Sequence, residues 1–435
     1  MKTFCLTRRL ADTIPLLIIS LFALLLFSCG DAGNRPWASH AISVSVGTSS
    51  EILALELVDL NQDGRHEIIV SRKESDVIYL YGSQWSEEGV LLWKEHQIPA
   101  IAGIHKFHIW QAGTRKNPQW FLVAAAGEPA LQVLISPIPD LNAIYYADEW
   151  VFTELPIPAG DWSALNSGDF NNDGVGDLAL AGRSGGEFGS APEIIWMSDV
   201  QSGERTTVTI GESASPLLMY ADDVEQDGDI DLLVVDAAPG ANSMGAYWLE
   251  NPWPENPDVN WKRNFITLSS LQPAGATVVD FDGDRRLDLL MCLQEKTGAN
   301  RLICFKKVTA SAEVAWLPLP LPISGKQGKL MHTNVADVDQ DGSNDLVLGF
   351  SGAPDPLEHL SWLRNPTPEA ASPAWIRRRL SEGRNSVSSD AMLICDVDGD
   401  GDLDVVSADA GGSLRWYENN VPVAATPKPS ESESP

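Results

Sequence analysis

An all-β, seven-bladed β-propeller closed by its own N-terminal strand is predicted from three observations. A nine-residue acidic pattern recurs six times at spacings of 54–59 residues, with one double gap of 110. A ladder of Trp-containing strand motifs runs out of phase with it at the same period. The ladder also begins one member early and ends one member short, so the two ends of the chain complete a single unit. Periods of this length mark solenoids, propellers or arrays.

The ladder counts the units. Its members are Trp37/His40/Ile42, Trp93/His96/Ile98, Trp150/Thr153/Leu155, Trp261/Asn264/Ile266, Trp316/Leu319/Leu321 and Trp375/Arg378/Leu380, with Arg205/Val208/Ile210 in the slot that lacks a Trp. Seven members define seven units. Within a unit, β-branched and aromatic runs alternate with Gly, Pro, Asn and Asp clusters, which reads as strands and turns. The fourth unit shows four such runs: LLMYA, DLLVVDA, AYWLENP and WKRNFITL. Four strands make one propeller blade. A further Trp strand is due near residue 432, where the chain reads PKPSESESP and cannot form one. Residues 37–46 are therefore expected to supply the outer strand of blade seven, which removes the gap in the ring and its exposed edges. The propeller spans 37–420, and 421–435 is a tail.

The acidic copies fall in the turn between the first and second strands of a unit. Positions 1, 3, 5 and 9 are Asp59, Asn61, Asp63 and Glu67; Asp169, Asn171, Asp173 and Asp177; Asp223, Glu225, Asp227 and Asp231. The remaining three sets are Asp280, Asp282, Asp284 and Asp288; Asp337, Asp339, Asp341 and Asp345; Asp396, Asp398, Asp400 and Asp404. Hard oxygen ligands at alternating positions, with Gly at position 6 for the sharp turn, suit Ca²⁺. About six structural calcium ions are expected, each clamping one turn; Mg²⁺ is disfavoured because it keeps its waters. The Asp402 carbonyl would add an oxygen, while the side chains of Asp402 and Asp229 are expected to face solvent. Arg285 stands where Gly is expected in the fifth unit, and the second unit (FHIWQAGTRKNPQWFLVAAAG) has no acidic copy.

These loops, each followed by a hydrophobic strand, resemble FG-GAP/VCBS repeats, the blades of integrin α-like propellers and of many secreted bacterial proteins. YWLENP at 247–252, SWLRNP at 361–366 and RWYENN at 415–420 resemble the third strand of those repeats. The resemblance covers residues 37–420 and implies calcium-binding blades.

Residues 1–28 are expected to lie outside the fold. Lys2, Arg8 and Arg9 precede an apolar run over 14–27 that is too short to span a bilayer comfortably and ends in LFSC. This is similar to a bacterial lipoprotein signal, which implies lipidation of Cys29, a tether over 29–36, and a periplasmic or cell-surface location in the envelope. Cleavage by an ordinary signal peptidase, which would release a secreted protein, and an uncleaved N-terminal anchor are the alternatives.

The formal charge is −30, and 22 of the 24 ligand positions are carboxylates, so metal sites account for much of the acidity. No basic stripe is present, and nucleic acid is not an expected partner. Cys292 and Cys304 flank a turn near Gly298; two buried thiols are favoured over a cross-strand disulfide. Cys395 is expected in the core. No nucleophile elbow, zinc-protease helix or phosphate-cradling loop is present. His105 and His108 are three apart on a strand and so face opposite sides, which argues for packing. Trp162 and His332 stand where they could line the mouth of the central channel, but packing is the favoured reading for both, and the ladder tryptophans belong between blades. The expected function is a monomeric, non-enzymatic module that binds an extracellular polysaccharide or a protein. Its binding face would be formed by loops such as 183–192, 237–246 and 350–359. A carbohydrate-active enzyme (lyase, dehydratase or hydrolase) working in the funnel, by family analogy, and a structural cell-envelope protein are the alternatives.

Overall fold

A computed structural model of the protein describes residues 37–421 apart from positions 44–50, 74, 100–103, 105, 115–116, 127–131, 140–143, 147–148, 159, 185–191, 199, 201–205, 214, 238–244, 255–259, 311–312, 324–327, 353–358, 367–373, 381–388 and 410–411. The leader, Cys29 and the tether thus lie outside the described residues, as does the tail beyond Val421. Val421 itself packs against the cluster between blades six and seven.

Strand β1 (Ala38–Ser43) is followed by seven sets of antiparallel strands. Blade one is β2 (Ile52–Val58), β3 (Glu67–Arg72), β4 (Val77–Trp85) and β5 (Leu91–Pro99). Blade two is β6 (Lys106–Thr114), β7 (Asn117–Ala126), β8 (Gln132–Pro137) and β9 (Thr153–Glu154). Blade three is β10 (Gly160–Gly168), β11 (Asp177–Ser184), β12 (Pro192–Met197) and β13 (Thr207–Gly211). Blade four is β14 (Pro216–Asp222), β15 (Asp231–Asp236), β16 (Gly245–Glu250) and β17 (Lys262–Leu268). Blade five is β18 (Gln272–Val279), β19 (Asp288–Gln294), β20 (Asn300–Ala310) and β21 (Glu313–Leu321). Blade six is β22 (Lys329–Ala336), β23 (Asp345–Ser351), β24 (Leu360–Arg364) and β25 (Ile376–Arg379). Blade seven has β26 (Ser389–Cys395), β27 (Asp404–Asp409) and β28 (Leu414–Glu418), and β1 is its fourth strand. No helix is present among the described residues.

The first strands of successive blades touch one another in a ring and line the axis. The second strands lie between neighbouring blades on both faces. That explains their unbroken apolar runs: β3 and β15 are buried along their whole length, and β19 and β23 at all but the last residue. Among the described residues the core forms seven clusters, each shared by two adjacent blades. All six ladder tryptophans pack into these clusters, as expected.

Ring closure has the predicted form. Strand β1 pairs antiparallel with β28, with Ala38 opposite Glu418 and His40 opposite Trp416. His40 stacks on Trp416 at 4.4 Å and bonds Glu418 at 2.9 Å. The buried Arg72 ties blade one to this junction, donating to the Gly412 carbonyl at 2.5 Å and to Ser43 Oγ at 3.3 Å.

Candidate metal loops and channel mouth

Each acidic loop is shaped by its own carboxylates. The position-1 carboxylate accepts N–H groups from positions 5 and 6, as in Asp341 and Gly342 to Asp337, both at 2.9 Å. The position-5 carboxylate accepts the N–H of position 7, as in Val175 to Asp173 at 2.7 Å. Positions 4 and 6 take positive φ, for example Gln340 at 54° and Gly342 at 89°. Arg285 adopts the same conformation with φ 68°, and its N–H reaches Asp280 Oδ2 at 2.8 Å, so the missing Gly does not alter the turn. The strained non-Gly conformation costs of order 1 kcal/mol.

The position-9 carboxylate holds the blade together. Asp345 Oδ1 accepts the N–H of Asn365 at 2.6 Å, and its Oδ2 accepts Trp362 Nε1 at 2.9 Å. Asp404 accepts the N–H groups of Asn419 at 2.8 Å and Val397 at 3.1 Å. The asparagine after the third strand then reaches the preceding blade: Asn251 Nδ2 donates to the Phe170 carbonyl at 2.8 Å, and Asn419 Nδ2 to the Val338 carbonyl at 3.0 Å. In blade five Lys307 takes this place, and its buried ammonium pairs with Asp222 of blade four at 3.2 Å. In blade two the hydroxyl of Tyr145 donates to Glu67 at 2.7 Å. The Asn of the ENP and ENN motifs is therefore an inter-blade clamp, a role sequence spacing alone does not reveal. In the RNP motif Asn365 donates instead to the Asn344 carbonyl of its own blade at 2.9 Å, and Asn344 makes the link to the Asp280 carbonyl of blade five.

Three loops bring three carboxylates within 4.8 Å of one another: Asp280, Asp282 and Asp288; Asp337, Asp339 and Asp345; Asp396, Asp398 and Asp404. The position-5 residues Asp284, Asp341 and Asp400 are outside these groups. The other three loops are arranged differently. Asn61 Nδ2 donates to Glu67 at 2.7 Å, and Asn171 Nδ2 donates to Asp173 at 3.0 Å. In the blade-four loop the Glu225 and Asp231 carboxyls lie within hydrogen-bond reach of each other, and burial pushes both upward.

Burial dominates the electrostatics of the position-9 carboxyls. It pushes Asp288 up to about 6, Asp345 to about 7 and Asp404 to about 8. Glu67 is raised for the same reason. Carboxyls gathered out of water resist ionising together unless a cation is among them. The donor set of hard oxygens fits Ca²⁺, and positions 1, 3 and 9 of the three converging loops would hold it. The Asp229 and Asp402 side chains do not face solvent as expected. Asp229 is only 4% exposed and Asp402 is half-buried, because each is tucked under the loop, where burial raises it to about 7.

The opposite end of the axis differs. A cavity of about 470 Å³ opens where the first strands begin, lined by Leu53, Glu56, Phe107, Leu217, Met331 and His332 among others. In six blades the first strand carries a bulge near its start, and the bulged residues Leu53, Leu217, Ala274 and Met331 point into this mouth. His332 thus lines the mouth, whereas Trp162 is buried and donates to the Pro158 carbonyl at 3.0 Å. Deeper in, His108 bonds Ser167 at 3.0 Å and lies 3.8 Å from Glu56, whose Oε2 accepts the Ile109 N–H at 3.0 Å. These residue types could form a nucleophilic relay, but the same level carries Asn166 to Met219, Thr277 to Thr333 and Asn334 to Met392. All are polar staples between adjacent first strands, and the His108–Ser167 bond is one of this series. His105 lies outside the described residues, as do most of loops 183–192, 237–246 and 350–359. Cys292 and Cys304 are buried and free: Cys292 lies opposite Leu302 and Cys304 opposite Leu290, and burial pushes both thiols up to about 12.

No protein-family model matches the chain, and no curated protein matches it. Among solved structures it is similar to the crystal structure of BBS1N in complex with ARL6DN, at 12% identity over 91% of this chain and 98% of that one, with a TM-score of 0.51. It also matches the Dos1 propeller at 13% identity over 88% and 95%, with a TM-score of 0.47. At such identity the first likeness is one of fold alone.

Proposed function

We propose that the protein is a calcium-stabilised propeller, anchored in the bacterial envelope through a lipid on Cys29, that binds a glycan or protein partner at the mouth of its central channel. The observation that carries this reading is the separation of two faces. Acidic turns crowd one end of the ring, and a bulge-lined apolar cavity with Glu56 and His332 opens at the other. Bulges re-aim side chains at functional surfaces, and concave, mostly apolar mouths with a few polar groups are where ligands bind. Calcium would hold the frame and take no part in recognition. A glycan array probed with calcium-loaded protein lacking residues 1–28 should give hits that Leu217→Asp abolishes while leaving the melting temperature unchanged. Hits that survive Leu217→Asp and His332→Ala would remove the mouth from the reading. Cys29→Ser should move the protein from the membrane to the soluble fraction.

A further inference from the structure

The acidic loops differ in what stands beside their carboxylates. Across from position 9, on the third strand, blade five places Lys306 and blade six Arg364, whereas blades four and seven place Glu250 and Glu418. The Lys306 ammonium pairs with Asp282, and Arg364 pairs with Asp339 through Nε and with Asp341 through Nη2 at 2.9 Å. Position 7 extends the contrast: Arg286 lies 3.5 Å from Asp284 in blade five, while blades four and seven carry Asp229 and Asp402. Asp229 is 96% buried, and its Oδ1 has no hydrogen-bond partner; Glu225 Oε2 and Asp402 Oδ1 are buried and unpartnered in the same way. Two loops therefore contain a cation paired with a ligand-position carboxylate. In the other two, position 7 adds an acid, while the acids across from position 9 are paired outside the loop, Glu250 with Lys262 at 2.6 Å and Glu418 with His40 at 2.9 Å.

We propose that the loops of blades four and seven are the high-affinity calcium sites, while Lys306 and Arg364 neutralise those of blades five and six, which hold their shape without metal. The proposal rests on the calcium reading above. A buried carboxylate oxygen with neither donor nor counter-ion is costly, and a divalent cation meets that need in blades four and seven. In blades five and six an arriving ion must approach a fixed positive charge or displace it. The blade-five and blade-six carboxylates lie within 4.8 Å of one another, the arrangement an internal cation favours; those of blade seven do so without one, and those of blade four do not. Glu418 also bonds His40 of β1, so an ion in blade seven would sit beside the strand that closes the ring. The loops beginning at Asp59 and Asp169 have Asn at position 3, hence one carboxylate fewer, and belong with the weak class.

Flow dialysis of the full chain with radioactive calcium should find two ions bound at least tenfold more tightly than any others. Lys306→Gln combined with Arg364→Gln should raise the tight class from two ions to four. Asp229→Asn combined with Asp402→Asn should abolish it while circular dichroism stays unchanged; if that variant does not fold, the double Gln variant decides. Six equivalent sites, or a double Gln variant with no additional tight ion, would overturn the proposal and leave calcium binding itself intact. A chain that binds no calcium would overturn both.

Discussion

In blade two the paired residues Thr114 and Asn117 are separated in sequence by two residues and no acid, whereas in blade six the paired residues Ala336 and Asp345 are separated by eight residues that include three carboxylates. The difference extends along the strand. In blade two the first two strands pair without interruption from Lys106 to Thr114, while the first strand of each other blade carries a bulge. A blade therefore needs neither acidic loop nor bulge to take its place in the ring. Both are additions, one at each end of the axis, and each creates a local problem: clustered negative charge at one end, unpaired backbone at the other. Their repetition fits two separate tasks, holding a cation and shaping a mouth.

The largest break in this comparison should come from removing divalent ions. An ion held at a concentration 100-fold above its dissociation constant adds about 2.7 kcal/mol per site, so chelation should lower the melting temperature in a calorimeter. The loss should grow with pH. Folded values of about 7 for Asp345 and about 8 for Asp404 lie above those of the unfolded chain, so the metal-free native state holds protons that unfolding releases. Its stability is then fullest near pH 4 and falls as pH rises toward 8. Calcium binds the ionised carboxylates, so the loaded protein should show the opposite slope.

Asp345→Ala should rank next. It leaves Asn365 N–H and Trp362 Nε1 without their acceptor in the core, at a cost of about 3 kcal/mol read from denaturant unfolding. Gly176→Ala probes the boundary between the two kinds of blade, since its Cβ would lie 2.2 Å from the Trp110 ring of blade two. A loss of about 1–3 kcal/mol is expected there from overpacking. Tyr145→Phe is the mildest change. It removes the blade-two hydroxyl from Glu67, whose loop retains the bond from Asn61, and should cost about 1 kcal/mol by the same unfolding assay.

The repeat made the ring legible before any coordinates. The ladder tryptophans mark six of the seven outer strands because each fills one inter-blade cluster, and the unused strand at residue 37 closes blade seven because edges must be paired. The acidic loops were equally visible, since their spacing lies within nine residues. What spacing could not show comes from across the sheet. Lys306 and Arg364 pair with acids 23 to 25 residues away in sequence, and only the strand register brings them together. Asp229 reads as a solvated acid because a turn is normally exposed, yet the loop folds over it. Tyr145 and Arg72 serve neighbouring blades through contacts that no local pattern announces.

Hydrogen–deuterium exchange with and without calcium sets the two kinds of turn side by side in one molecule. Chelation should speed exchange at the start of β15 and β27, just after the acidic loops of blades four and seven, and leave the β6–β7 hairpin unchanged. Equal protection at all three places in both conditions, or loss confined to the β6–β7 hairpin, would contradict a ring whose acidic turns depend on bound cations.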